Sequence, residues 1–227
     1  MRKMALGSPK LQVIFTWLWM ILFPLLAGGF TVCVLRISVA TTLEWWRAHQ
    51  YLQGYLEAIA AGLLPAFFVW INKERLSDYG LQRAGLARSI LLSLLVVAAV
   101  CLKSFLTTGE WIGHSSFETG IDFPWNLLHA AWGIFANGPL EVFFFIFLTV
   151  KTGQLFKNSW IGFFVTLVVF ALVHILTTQS VVNALNVFGI FLFLGAIYQS
   201  TRNAAGAMLG WTLINGMVWA YIEFVGR

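Results

Sequence analysis

Long apolar runs, separated by short stretches that hold most of the charge, constrain this chain more than any other feature. A helix rises about 1.5 Å per residue, so roughly 17–25 apolar residues cross the ~30 Å hydrocarbon core of a bilayer. Runs of that order cover residues 11–35, 51–71, 89–108, 125–150, 159–178, 181–199 and 204–224. Hydrophobic residues fill 59% of the 227 positions and charged residues only 10%, against about 25% charged in ordinary soluble domains. A water-soluble globule of this size could not hide so much apolar surface. Disorder is excluded too, because the chain is rich in the aromatic and branched residues that disordered segments lack. The expected fold class is therefore all-α: a polytopic transmembrane helix bundle of about seven spans. The opening Met-Arg-Lys and the apolar run behind it read as a retained first span, the run being too long for a signal peptide and without a clear cleavage site.

The distribution of Lys and Arg sets the expected orientation. With the N-terminus inside, the inner segments collect ten: Arg2, Lys3, Lys10, Lys73, Arg75, Arg83, Arg88, Lys151, Lys157 and Arg202. The outer segments collect four, Arg36, Arg47, Lys103 and Arg227, and the outer 109–124 loop carries Glu110, Glu118 and Asp122 with no base. Ten against four predicts the N-terminus inside and the C-terminus outside. The net charge of +5 is accounted for by topology, and no nucleic-acid partner is expected. Cys33 and Cys101 read as small core hydrophobes, neither a disulfide pair nor a zinc site.

A charged or strongly polar side chain in hydrocarbon costs about 2.5–3.5 kcal/mol, so each one needs a reason. Glu141 is the clearest. It follows Gly138-Pro139-Leu140 in the fourth run, its nearest base is Lys151, and Gly-Pro should loosen the helix just before it. Asn137 stands one helical turn earlier on the same face. His174 closes Phe170-Ala171-Leu172-Val173-His174, and Asn215 closes Trp211-Thr212-Leu213-Ile214-Asn215. Each has a plainer reading: an intramembrane Asn often glues helices together, a His near a span end is often interfacial, and a buried Glu can be structural. Glu57 and His129 read as interfacial, Asn183 and Asn186 open the sixth span, and Trp17, Trp19, Trp45 and Trp46 fit packing or an aromatic belt.

Taken in order, Glu141, Phe170-x-x-x-His174 and Trp211-x-x-x-Asn215 resemble the motifs of the CPBP family, the CAAX-protease and bacteriocin-processing group of intramembrane endopeptidases. Its pattern is Glu-Glu-x-x-x-Arg on one span, Phe-x-x-x-His on the next and His-x-x-x-Asn on a later one. The segment Ser77-Asp78-Tyr79-Gly80-Leu81-Gln82-Arg83 resembles the stretch ahead of the family's core, and the likeness covers about residues 75–220. Departures are Val142 in place of the second Glu, Phe145 or Ile146 in place of the Arg, and Trp211 in place of the second His. The resemblance divides the chain into N-terminal membrane spans, 1–74, and a CPBP-like membrane core, 75–227.

What the resemblance implies is hydrolysis of a peptide bond in a membrane-anchored peptide or protein. Glu141 would activate water, His174 would be its partner or an oxyanion donor, and Asn215 would be an amide donor. Trp211 can donate one N–H but carries no proton to a substrate. One His and one Glu make a poor zinc site, so no metal and no cofactor is expected. Two other readings stand beside the enzyme: a catalytically silent relative that binds a peptide or partner protein, and a transporter with Glu141 as a proton or cation site. The expected location is a membrane, the inner or plasma membrane if the cell is bacterial, with the lipid bilayer as a constant partner.

Overall fold

The computed structural model describes residues 7–48, 50–109, 136–178 and 180–214. Among them every regular element is helical: α1 (Pro9–Cys33), α2 (Val39–Ala48), α3 (Gln50–Ile71), a 3-10 turn (Leu76–Tyr79), α4 (Leu86–Thr108), a π-helical turn (Ala136–Glu141), α5 (Val142–Phe156), α6 (Ser159–Thr178), α7 (Val181–Thr201) and α8 (Ala205–Ile214). Among the described residues three stretches are long and apolar enough to cross a membrane: Leu86–Thr108, Gly138–Phe156 and Val181–Thr201. Shorter apolar helical stretches cover Pro9–Phe23, Ala60–Ile71, Ser159–Ile175 and Ala205–Ile214.

The apolar residues face outwards as well as inwards. Only 11% of the apolar stretch of α4 is buried inside the bundle, and Leu91, Leu95 and Leu106 on it are exposed, as are Leu172 on α6 and Val182 and Leu185 on α7. A helix face turned to water would be polar; faces like these suit a hydrocarbon surround, the construction of a membrane protein. α5 is the centre. Val142 through Leu148 are all buried, with α1, α3, α6 and α8 packed around the helix.

Close crossings need small residues. A Cβ on Gly162 would stand 2.3 Å from the backbone N of Gly153 and 2.5 Å from Thr149 O, so α5 and α6 meet backbone to backbone. A Cβ on Gly206 would fall 2.2 Å from Ser89 O, which brings α8 against α4. There Ser89 Oγ donates to Asn203 O at 2.9 Å and accepts from Gly206 N at 3.2 Å.

Three turns meet at one end of the bundle. Asn203, fully buried, donates through Nδ2 to Gln82 O (2.6 Å) and Ala84 O (2.9 Å), while its Oδ1 accepts from Ala205 N at 3.0 Å and so caps α8. Gln82 Nε2 donates to Arg202 O at 2.9 Å, and the Arg202 guanidinium reaches Ser159 Oγ at 3.2 Å. Gly80 has φ +81°, and a Cβ there would meet Ala204 N at 2.9 Å, so glycine is required twice over. Lys73, Arg75, Arg83, Arg88, Lys157 and Arg202 all belong to the segments that converge on this basic end.

Lys151, counted with the inner bases in the sequence, is buried instead, and it corrects a sequence boundary. The apolar run stops at residue 150, but the helix continues to Phe156. Lys151 is buried, with Nζ 2.6 Å from Glu74 Oε1 and within 6 Å of the Tyr79 and Phe147 rings, so its charge is matched inside the bundle. The Tyr79 hydroxyl donates to the other oxygen of Glu74. Burial opposes the phenolate, and the bond to Glu74 opposes it further, so the Tyr79 pKa stands above its ordinary value of 10.0. A group raised on folding contributes stability that is complete below its unfolded pKa and is lost as pH climbs past it. Unfolding titrations of wild type and Tyr79→Phe should therefore diverge above pH 10, with wild type losing about 1.4 kcal/mol more per pH unit.

Between the first two apolar runs lies α2, whose start is capped by Ser38 Oγ accepting from Thr41 N at 3.1 Å. One other expectation changes. Cys33 is exposed at the end of α1 rather than in the core, while Cys101 is partly buried against the core; both are free thiols. Where the exterior is itself apolar, hydropathy does not separate core from perimeter. Trp17 and Trp19 have packing roles: Trp17 meets Phe144 edge to face at 5.5 Å, and Trp19 Nε1 donates to Ala60 O at 2.9 Å, tying α1 to α3. Asn183 N is capped by Ser180 Oγ, and Asn186 Oδ1 accepts from Lys103 Nζ at 2.9 Å.

Candidate functional site

Glu141 leads into α5 from the π-helical turn that Gly138 and Pro139 help to form. Proline withholds one N–H from the helix ladder, and π turns are frequent where a helix is bent to serve a site. Gly138 sits so close to α8 that a Cβ there would be 1.6 Å from Thr212 Oγ1. That approach sets the turn beside Trp211, the residue before Thr212.

The result is a carboxylate gripped from two helices. Trp211 Nε1 donates to Glu141 Oε2 at 2.7 Å, a short, well-formed hydrogen bond. His174 Nε2 lies 3.5 Å from Glu141 Oε1, both side chains about 17% exposed; this is an ion-pair separation, longer than a well-formed hydrogen bond. His174 Nδ1 lies 2.9 Å from Phe170 O, one turn back on α6. A carbonyl only accepts, so Nδ1 carries a hydrogen.

Aromatic rings fix the spacing. The His174 ring packs on Phe170 (centroids 4.6 Å) and the Trp211 ring on Phe191 (4.9 Å), and Phe170 and Phe191 are 4.6 Å apart. Phe145 backs this platform, 5.5 Å from Phe170 and 4.9 Å from Phe191. Val142, Phe145 and Ile146, which occupy the second-Glu and Arg slots of the resembled pattern, are buried in the core.

Of the residues singled out in the sequence, the structure brings Glu141 and His174 together. Asn215 and His129 lie outside the described residues, as does the 110–124 part of the acidic loop. The side chains of Trp45, Trp46, Glu57 and Asn137 lie outside them too. Trp211, anticipated only as a stand-in for a histidine, is the residue that grips the carboxylate; its place in the Trp-x-x-x-Asn slot was the signal. Trp211→Phe should keep the ring on Phe191 and delete the N–H, costing about 1–3 kcal/mol of stability for a largely buried acceptor left without its donor. Thermal unfolding in micelles should show that loss shrinking on a Glu141→Leu background, where no carboxylate remains to be held.

Comparison of the chain with protein-family models, with curated proteins and with solved structures finds no match.

Proposed function

We propose that this chain is a multi-pass intramembrane endopeptidase of CPBP type, hydrolysing a peptide bond in a membrane-anchored peptide or protein. Supporting this reading is one observation above all: a partly accessible carboxylate, Glu141, set between an indole N–H and an imidazole whose rings rest on Phe191 and Phe170. Glu141 accepts a proton from water as the water oxygen attacks the scissile carbonyl carbon. The same proton then passes to the amide nitrogen as the C–N bond breaks, and His174 balances the charge beside Glu141 while the proton is away. Asn215, one turn beyond Trp211 in the sequence, is assigned the role of amide donor to the oxyanion.

The proposed topology has about seven spans with the N-terminus inside. Its support is the count of ten inner bases against four outer ones, together with the convergence of the 72–85, 157–158 and 202–204 turns on one end. Glu141 stands about 15 Å along the helix axis from Lys151.

The test compares protein termini in membrane and secreted fractions from cells carrying wild type or Glu141→Gln at equal protein levels. A terminus lost with the variant supports the endopeptidase and identifies its substrate. Indistinguishable termini, with a phenotype only on deleting the whole chain, favour the second reading, a catalytically silent scaffold that binds a peptide or partner protein. What favours that second reading is Trp211, which holds Glu141 in place but takes no part in proton transfer.

A further inference from the structure

A groove of about 870 Å³ opens between α3 and α8, floored by the π turn and the start of α5. Its size is that of a small-molecule site, about 300–1,000 Å³. Val69, Leu140, Phe143 and Met208 line its walls, and Lys73 and Trp70 stand at its basic end. It is blind at the other end, where α3 closes on the π turn: a Cβ on Gly62 would lie 2.7 Å from the Leu140 Cβ.

Charge is carried at one end only. Glu74 also lines the basic end, but Lys151 and the Tyr79 hydroxyl already engage its two oxygens. Lys73 is exposed, with φ +53° in the turn after α3, and so sets the net sign of the rim. Trp70 beside it is 75% exposed, and Trp and Lys flanking the end of a span mark the level of lipid headgroups. The apolar walls disfavour an extended peptide, because its amides would enter with few hydrogen-bond partners. An acyl chain has no such groups to satisfy.

We propose that this groove binds a phospholipid with an anionic headgroup, one acyl chain lying along Phe143 and Met208 to Leu140 and the headgroup phosphate on Lys73. The proposal is independent of the chemistry assigned to Glu141, which does not line the groove.

The experiment uses the full chain in phosphatidylcholine vesicles doped with phosphatidylglycerol carrying a diazirine on its acyl chain, with diazirine-acyl phosphatidylcholine as the comparison. After photolysis, adducts from phosphatidylglycerol should concentrate on Leu140, Phe143 and Met208 and exceed those from phosphatidylcholine. Lys73→Gln, an exposed substitution that leaves the core untouched, should lower the phosphatidylglycerol adducts about five-fold, the effect of one basic residue near an anionic headgroup, and leave the phosphatidylcholine adducts unchanged. Ala66→Phe, which fills the groove, should remove the adducts of both lipids from those three residues. Equal adducts from the two lipids, or phosphatidylglycerol adducts indifferent to Lys73→Gln, would overturn the proposal and leave a surface merely wetted by bulk lipid.

Discussion

Replacing Glu141 by Gln should lower turnover of a cleaved substrate by about 10²–10⁴-fold, the contribution of a positioned general base, while the protein still folds and inserts. The second half of that expectation comes from the geometry. The Gln carbonyl oxygen can accept the Trp211 N–H in place of Oε2, and its amide can donate towards His174 Nε2, whose lone pair is available because Nδ1 holds the ring hydrogen against Phe170 O. Gln therefore preserves shape and hydrogen bonding and removes only the proton acceptor. His174→Ala should likewise lower turnover, but it also leaves a void over Phe170, so its effect on unfolding must be measured beside its effect on cleavage. A purified Glu141→Gln protein that is as stable as wild type and cleaves at the wild-type rate would end the glutamate mechanism.

The second large effect is on stability. Lys151→Met should destabilise the chain by about 3–5 kcal/mol, because it strands Glu74 without its cation in a largely buried setting. Removing the whole cluster should cost much less. In the triple variant Lys151→Met, Glu74→Leu, Tyr79→Phe no charge or hydroxyl is left unpartnered, and apolar replacement of a buried ion pair is often neutral or stabilising. Thermal unfolding in micelles of the single and triple variants checks this. If the single change costs no more than the triple one, the Lys151–Glu74 contact contributes nothing to the fold.

Helices were legible because their signal is length and hydropathy, and that signal is strong from Leu86 to Thr108 and from Val181 to Thr201. Hydropathy misjudges a charge whose partner is distant in sequence. Lys151 looked like the end of a span, yet Glu74, 77 residues away, allows the helix to pass straight through it. Cys33 shows the complementary failure: an apolar position reads the same whether it faces the core or the perimeter. The site was half legible. Glu141 and His174 stand out because a polar group in an apolar run needs an explanation, and the order of motifs supplied one. Trp211 is apolar on every scale, and its grip on Glu141 depends on Gly138 admitting Thr212 at van der Waals range, a contact between segments that no local pattern records. The basic end was foreshadowed by Lys and Arg, but Asn203, which caps α8 and clamps the 82–84 backbone, carries no charge and gave no sign of itself.

The π turn that delivers Glu141 has a consequence for how the chain is made. Lys151 meets a partner, Glu74, that has already been synthesised, whereas Glu141 waits for His174 and then for Trp211, 70 residues downstream. At about 5–20 residues per second, a few seconds or more separate the synthesis of Glu141 from that of Trp211. Until α8 is made nothing supplies the indole N–H that holds Oε2, so the grip on Glu141 is among the last contacts of the described bundle to close, whereas Lys151 finds Glu74 already in place.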